Sequence, residues 1–288
     1  MALALGLAAC DGASPERDAR LVEDPSRRIC DGSSSLRFAF QGLGGFLPSG
    51  GAYLPLENGV HFLFVDGTCH YWAQRRQNEE LRTGELTDED EEALIAASRF
   101  RAWRGLAGAW TGENIPFDGG LTRLWDASFA LNCQACQGDG SPPGVQEALA
   151  GAYTQLGELW AAGAPIQEGP LRLLLLDDGE GYMNALAWPL TPPPEAYVHT
   201  PASENHGVST LISDPDDVRK LRALQSEHRA RSPSGPEVIP VMGDAGKVYT
   251  LGLREALPFE DARGLIDPSR RPRRLTATGP QARRGPGL

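Results

Sequence analysis

Lysine is almost missing from this chain of 288 residues: among 27 basic residues only Lys220 and Lys247 are lysine, and the rest are arginine. That bias is typical of a GC-rich genome and indicates no function. The formal net charge of −11 argues against nucleic-acid binding along the whole chain. No apolar run reaches the ~20 residues of a membrane-spanning helix, which excludes a polytopic membrane protein. With 41% hydrophobic and 23% charged residues, the composition is that of an ordinary folded protein.

The first ten residues, MALALGLAAC, are uncharged and largely apolar, and they end in a cysteine. Residues 7–10, LAAC, match the bacterial lipobox, in which small residues let a signal peptidase cut before a cysteine that is then acylated. The lysine or arginine that normally opens a secretory signal is missing here. We predict a lipoprotein-type signal over residues 1–9, lipid attachment at Cys10 and a lipid membrane as the partner of that acylated residue.

The other cysteines can then pair, because removing Cys10 from a total of five leaves an even number. Outside the cytoplasm this predicts two disulfides, and four cysteines allow three pairings that the sequence does not distinguish. We favour Cys30 with Cys69, which leaves Cys133 for Cys136. The CxxC spacing of the second pair also suits a thioredoxin-like redox site or half of a zinc site. The turn-like residues that follow it favour a structural disulfide.

Composition divides the chain into four segments. Residues 10–29 mix charges with Pro, Ser and Gly and predict a flexible tether. Residues 30–260 hold the apolar patterns of a globular domain, with a possible subdivision near 163–169. Residues 261–288 contain seven Arg and two Asp among Pro and Gly, which predicts a disordered basic tail.

Residues 61–72, HFLFVDGTCHYW, predict a β-hairpin whose two-residue turn is Asp66-Gly67. In that register His61 and His70 lie on one face, diagonally within reach of a shared ion. Two imidazoles alone make a weak metal site, and a half-exposed polar face is the alternative interpretation. The other face would then be the core, formed by Phe62, Phe64, Cys69 and Tyr71.

Three helices and further strands complete an α+β fold with an antiparallel sheet. Thr87 and Asp90 resemble a capping box before the first helix. Pro143 opens a second helix with a clear 3.6-residue apolar stripe, and Asp214-Pro215 opens a third. The apolar run 171–176 predicts a buried strand, and residues 121–131 and 247–253 predict two more.

Two polar loops complete the candidate chemistry. His199 and His206 flank Ser203 and Glu204, but no GxSxG or HExxH motif accompanies them, which favours a solvated loop. The acidic run that follows residue 176 could bind calcium, yet it lacks the EF-hand spacing and is equally typical of a turn.

Several stretches together resemble envelope lipoproteins of unknown activity from GC-rich Gram-negative bacteria. They are LAAC at 7–10, CDGS at 30–33, the glycine-rich segment 42–51, FLFVDGTCHYW at 62–72 and LREALPFED at 253–261. The resemblance implies an envelope protein and supplies no catalytic residues.

We therefore expect a lipid-anchored protein of the cell envelope, on the inner or outer membrane and facing the periplasm or the exterior. We expect a binding or structural module without catalysis, cofactor or nucleic acid, whose partner is an envelope protein or a glycan. The alternative is a metal-dependent enzyme using His61 and His70, or a thiol-disulfide enzyme using Cys133 and Cys136.

Overall fold

The computed structural model describes residues 23–43, 61–76, 79–111, 120–134, 143–166, 169–177, 184–198, 209–232, 238–243, 246–257 and 259–260. These residues form both strands and helices, and most neighbouring strands pair in the antiparallel direction. The predicted α+β class is confirmed.

The first sheet is built from the strands that precede residue 166. Among the described residues these are β1 (Leu36–Leu43), β2 (His61–Asp66), β3 (His70–Gln74), β4 (Arg82–Glu85), β5 (Gly108–Thr111), β6 (Leu121–Trp125), β7 (Ala130–Gln134) and β8 (Ala164–Pro165). Their order is β5-β7-β6-β1-β2-β3-β4-β8, and only β5 and β7 pair in parallel. Residues 121–131, predicted as one strand, instead contain β6, a turn at Asp126 and the start of β7.

The second sheet is built from the strands that follow residue 170. They are β9 (Leu171–Leu176), β10 (Leu186–Ala187), β11 (Thr210–Ile212), β12 (Ile239–Met242) and β13 (Val248–Glu255). Their order is β10-β12-β13-β9-β11, with β10 parallel to β12. The chain thus changes sheets between Pro165 and Leu171, in the region where the sequence suggested a subdivision.

Two of the described helices begin at the capping residues that the sequence predicts, Thr87 and Asp214. The described helices are α1 (Asp88–Ala97), the short α2 (Trp103–Leu106), α3 (Pro143–Ala162) and α4 (Pro215–Arg231), with 3₁₀ turns at Phe100–Ala102 and Pro194–Tyr197. The Thr87 hydroxyl accepts from Asp90 N–H while the Asp90 carboxylate accepts from Thr87 N–H, which confirms the capping box. Asp214 caps α4 by accepting from the N–H groups of Asp216 and Asp217.

Each sheet buries apolar side chains under helices. Both α1 and α3 cover one face of the first sheet, where Leu94 and Leu156 join the side chains of Phe38 and Leu63. The opposite face of that sheet is also buried, and Leu257, from just beyond β13, packs there. On the second sheet α4 covers the face that carries Leu171, Leu173 and Leu175.

The residues just after β13, up to Glu260, contact both sheets. Phe259 packs edge-on against Trp72 on the first sheet, with ring centroids 5.2 Å apart. The next residue, Glu260, accepts from Arg172 Nε at 3.0 Å and also pairs with Arg254. Arg172 and Arg254 are cross-strand partners in the second sheet. Because Arg172 and Glu260 are almost fully buried, each compensates the cost of burying the other's charge.

The folded part starts earlier than the composition predicted. Residues 23–29 belong to the predicted tether, yet Ile29 is fully buried in the first core. The Arg27 guanidinium lies 4.0 Å from the Phe100 ring centroid and donates to the Phe100 carbonyl at 2.8 Å. Aromatic contact therefore holds a segment whose polar composition is typical of a linker.

Candidate functional site

Cys30 and Cys69 form the predicted disulfide, with their Cα atoms 5.0 Å apart. The bond joins the start of the folded part to the loop between β2 and β3. Cys133 is fully buried and is also disulfide-bonded. Its predicted partner, Cys136, lies outside the described residues, as does Cys10. The second pairing and the lipid site therefore stay predictions.

Glu91 of α1 fixes the backbone next to the disulfide. Its carboxylate is fully buried and accepts from Ile29 N–H and Cys30 N–H, each at 2.9 Å, and from Arg28 Nε at 3.0 Å. Burial works to raise the pKa of Glu91, but these hydrogen bonds outweigh it and lower the pKa below its usual value. The carboxylate stays charged and holds the chain on α1.

The predicted register of the β2–β3 hairpin is wrong. Phe64 pairs with Trp72 and Val65 with Tyr71, so the connection is a three-residue loop, residues 67–69, rather than a two-residue turn. Side chains alternate along a strand, so this shift of three places His61 and His70 on opposite faces. They do not form one metal site. The predicted core face is wrong for the same reason, because Trp72 lies with Phe62 and Phe64 on one buried face and Tyr71 lies on the other.

The loop geometry explains the register. Gly67, expected to supply a positive φ, instead allows residues 31–33 to approach: a Cβ there would lie 2.1 Å from Asp31 Oδ1. The positive φ of 68° falls on Cys69. The Asp66 carboxylate accepts from Thr68 N–H and His70 N–H, which stabilises the longer loop.

His61 lies among aromatic rings beneath α3. Its ring centroid is 5.4 Å from that of Phe40 and 5.2 Å from that of the exposed Tyr153. Burial lowers the pKa of His61 to about 4. At neutral pH His61 is an uncharged packing residue.

His70 has a hydroxyl partner that resembles half of a catalytic pair. Its Nε2 lies 2.7 Å from Thr83 Oγ1, and the Thr83 hydroxyl donates to the Tyr71 carbonyl, also at 2.7 Å. Since the single hydroxyl proton of Thr83 is directed at that carbonyl, the imidazole donates through Nε2 and the Thr83 oxygen accepts. A histidine that donates to a hydroxyl does not deprotonate it, so this is not a nucleophile–base arrangement. Burial also lowers the pKa of His70.

The remaining polar candidates are only partly described. His199, Ser203, Glu204 and His206 lie outside the described residues. Asp177, at the end of β9, forms an ion pair with Lys247. Within the described ranges, no three His, Cys, Asp or Glu side chains cluster as a metal site requires. No helix in that part of the chain is long and apolar enough to cross a membrane.

A cleft of about 530 Å³ lies at the β10 edge of the second sheet, and its volume is in the range of small-molecule sites. Trp188 is partly exposed beside it, and Met242, 45% exposed, contributes a thioether. The lining residues are Ala185, Ala187, Trp188, Leu190, Thr191, Pro193, Met242 and Gly243.

A carboxylate lies behind one wall of this cleft. Glu195 is so near Gly243 that a Cβ on that glycine would lie 2.4 Å from Glu195 Oε1. The same oxygen accepts from the Tyr249 hydroxyl at 3.0 Å. Burial raises the pKa of Tyr249, and the neighbouring carboxylate raises it further, so the hydroxyl remains a neutral donor.

Sequence reasoning did not find this cleft. Its two sides come from residues 185–193 and 242–243, which are brought together only by the pairing of β10 with β12. The local signal was a tryptophan directly before a proline-rich loop, PLTPPP at 189–194. That composition indicates a loop or extended segment and says nothing of the opposite wall.

No family model, curated protein or solved structure matches this chain.

Proposed function

We propose that this chain is a lipid-anchored protein of the cell envelope, attached through Cys10, whose folded part is a non-catalytic binding module. The observation that carries the proposal is the Cys30–Cys69 disulfide. Stable disulfides are typical of oxidising compartments, such as the periplasm and the cell surface, and rare in the cytoplasm.

The position of the disulfide supports an anchor upstream of it. The lipobox-like LAAC ends at Cys10, and the chain is held on the fold at Asp24, whose N–H donates to the Arg101 carbonyl, and at the buried Ile29. The residues between them provide a spacer between acyl chains and domain. The disulfide and Glu91 fix the place where this spacer meets the folded part.

The cleft supports binding rather than catalysis. It is a cleft whose lining side chains are mostly apolar, which is typical of ligand sites. Elsewhere, the pair that most resembles an acid–base arrangement is His70 with Thr83. There the histidine donates to the hydroxyl, so it does not activate that hydroxyl as a nucleophile. We therefore assign the cleft, not the histidines, as the functional surface.

Palmitate labelling in a Gram-negative host tests the anchor. The wild-type chain should incorporate label, and Cys10→Ser should abolish it. Cys136→Ser is the matched control because it removes another cysteine and should leave labelling intact. Label that survives Cys10→Ser would overturn the proposed attachment.

A further inference from the structure

We propose that the cleft at residues 185–193 and 242–243 binds a small quaternary ammonium compound. This inference deepens the proposed binding function and rests on it. The side chains of the wall, the charge beside it and the scarcity of hydrogen-bonding side chains in the lining all suit such a ligand.

The wall suits a cation that carries methyl groups. Trp188 is partly exposed, and its indole is held in place because Nε1 donates to the Pro192 carbonyl at 3.0 Å. Tyr197 packs against it, with ring centroids 5.5 Å apart. A fixed indole face attracts cations through its quadrupole, and tryptophan is the strongest aromatic in this role. Met242 supplies a polarisable thioether on the other side.

The charge beside the wall is negative. Glu195 is exposed and lies against Gly243, a lining residue. The nearby Lys247 is paired with Asp177, so this pair adds no net charge. Among the described residues named here, the carboxylate of Glu195 therefore leaves one net negative charge beside the wall, which complements a monovalent cation.

The lining has few side-chain partners for hydrogen bonds. Thr191 is the one described lining residue with a hydroxyl, amide or charged side chain, and the Trp188 N–H is already engaged. A primary ammonium or guanidinium ligand would find one hydrogen-bonding side chain in the described lining, Thr191, and would depend on backbone carbonyls to replace the water it loses, which is costly where they are not aligned with its N–H groups. A quaternary ammonium has no N–H donors and avoids that cost.

Calorimetric titration of the full chain carrying Cys10→Ser tests the assignment. Choline is the probe, and 3,3-dimethylbutan-1-ol is its neutral isostere. Choline should bind at least about tenfold more tightly than the alcohol, because only the cation gains from the indole face and the carboxylate. Glu195→Gln should weaken choline binding about fivefold, and Trp188→Leu should weaken it more than Trp188→Phe.

Glu227→Gln is the control, because Glu227 pairs with Arg231 on α4 and should not affect the titration. Equal affinity for choline and the alcohol, or no choline binding by folded protein, would overturn the inference. So would binding to phosphatidylcholine vesicles without binding to free choline. Palmitate labelling at Cys10 is independent of this titration, so a failed titration with intact labelling removes the ligand assignment alone.

Discussion

The imidazole of His61 lies over the Cα of Gly42, its cross-strand partner in the β1–β2 ladder. A Cβ on Gly42 would lie 2.1 Å from His61 Cε1 and Nε2. The glycine makes room for the ring, and the ring covers a strand position that has no side chain of its own. The pair fills the end of the first core near Phe40.

Gly42→Ala should therefore destabilise the protein by about 1–3 kcal/mol, the usual cost of overpacking a core. The double variant Gly42→Ala/His61→Ala should lose about 1–2 kcal/mol less unfolding free energy than the sum of the two single variants, because the new methyl group no longer meets the imidazole. Gly157→Ala is the control, since a Cβ there meets nothing within 4 Å. Urea unfolding is measured for wild type, Gly42→Ala, His61→Ala, the double variant and the control, and strict additivity of the two single effects would contradict the contact.

The same histidine predicts a pH dependence of stability. Burial lowers the pKa of His61 to about 4 in the folded protein, against an ordinary value of 6.5. Between these values the unfolded chain takes up a proton that the folded chain does not, so stability falls as pH decreases from 6.5 to 4. The free energy of unfolding should fall by up to about 3 kcal/mol over this range. The fall is smaller if solvent reaches the imidazole ring.

His61→Gln should remove this part of the pH dependence, and His228→Gln, on α4, should retain it. The measurement is the free energy of unfolding from pH 7 to pH 4 for the three proteins. Parallel curves for wild type and His61→Gln would show that the ring is not buried as described.

Glu91→Gln should destabilise the protein by about 2–3 kcal/mol, because charged hydrogen bonds to Arg28 and to two backbone N–H groups are weakened or lost. The matched control is Glu92→Gln. Glu92 is the next residue, but it is half exposed and pairs with Arg101 at the surface, so its loss should cost about 0.5 kcal/mol or less. If thermal unfolding showed equal destabilisation by Glu91→Gln and Glu92→Gln, Glu91 would not hold residues 28–30 on α1 as described.

Cys30→Ala/Cys69→Ala should lower the free energy of unfolding by up to about 4 kcal/mol, since the bond closes a loop with a separation of 39 residues. Peptide mapping under non-reducing conditions should recover the Cys30–Cys69 peptide from wild-type protein. Free thiols at both positions in protein from the native host would contradict the disulfide and the oxidising compartment together.

Features that depend on residues close in sequence were predictable from the sequence alone. Features that depend on contacts between residues distant in sequence were not. Thr87 and Asp214 marked helix starts because a cap involves only the next few residues. The sequence predicts the wrong hairpin register because the role of Gly67 is not local. Its missing side chain lets Asp31, a residue distant in sequence, come close to the loop. The polarity of the residues around Arg27 predicts a tether, because the contact that holds Arg27 on the fold is with Phe100, far along the chain.

The central claim is lipid attachment at Cys10, and intact mass spectrometry of the protein extracted from native membranes tests it most directly. We expect a mature chain that begins at Cys10 and whose mass exceeds that of the polypeptide by a diacylglyceryl group, with or without a further acyl chain. A chain that retains Met1, or one whose Cys10 is unmodified, would contradict it.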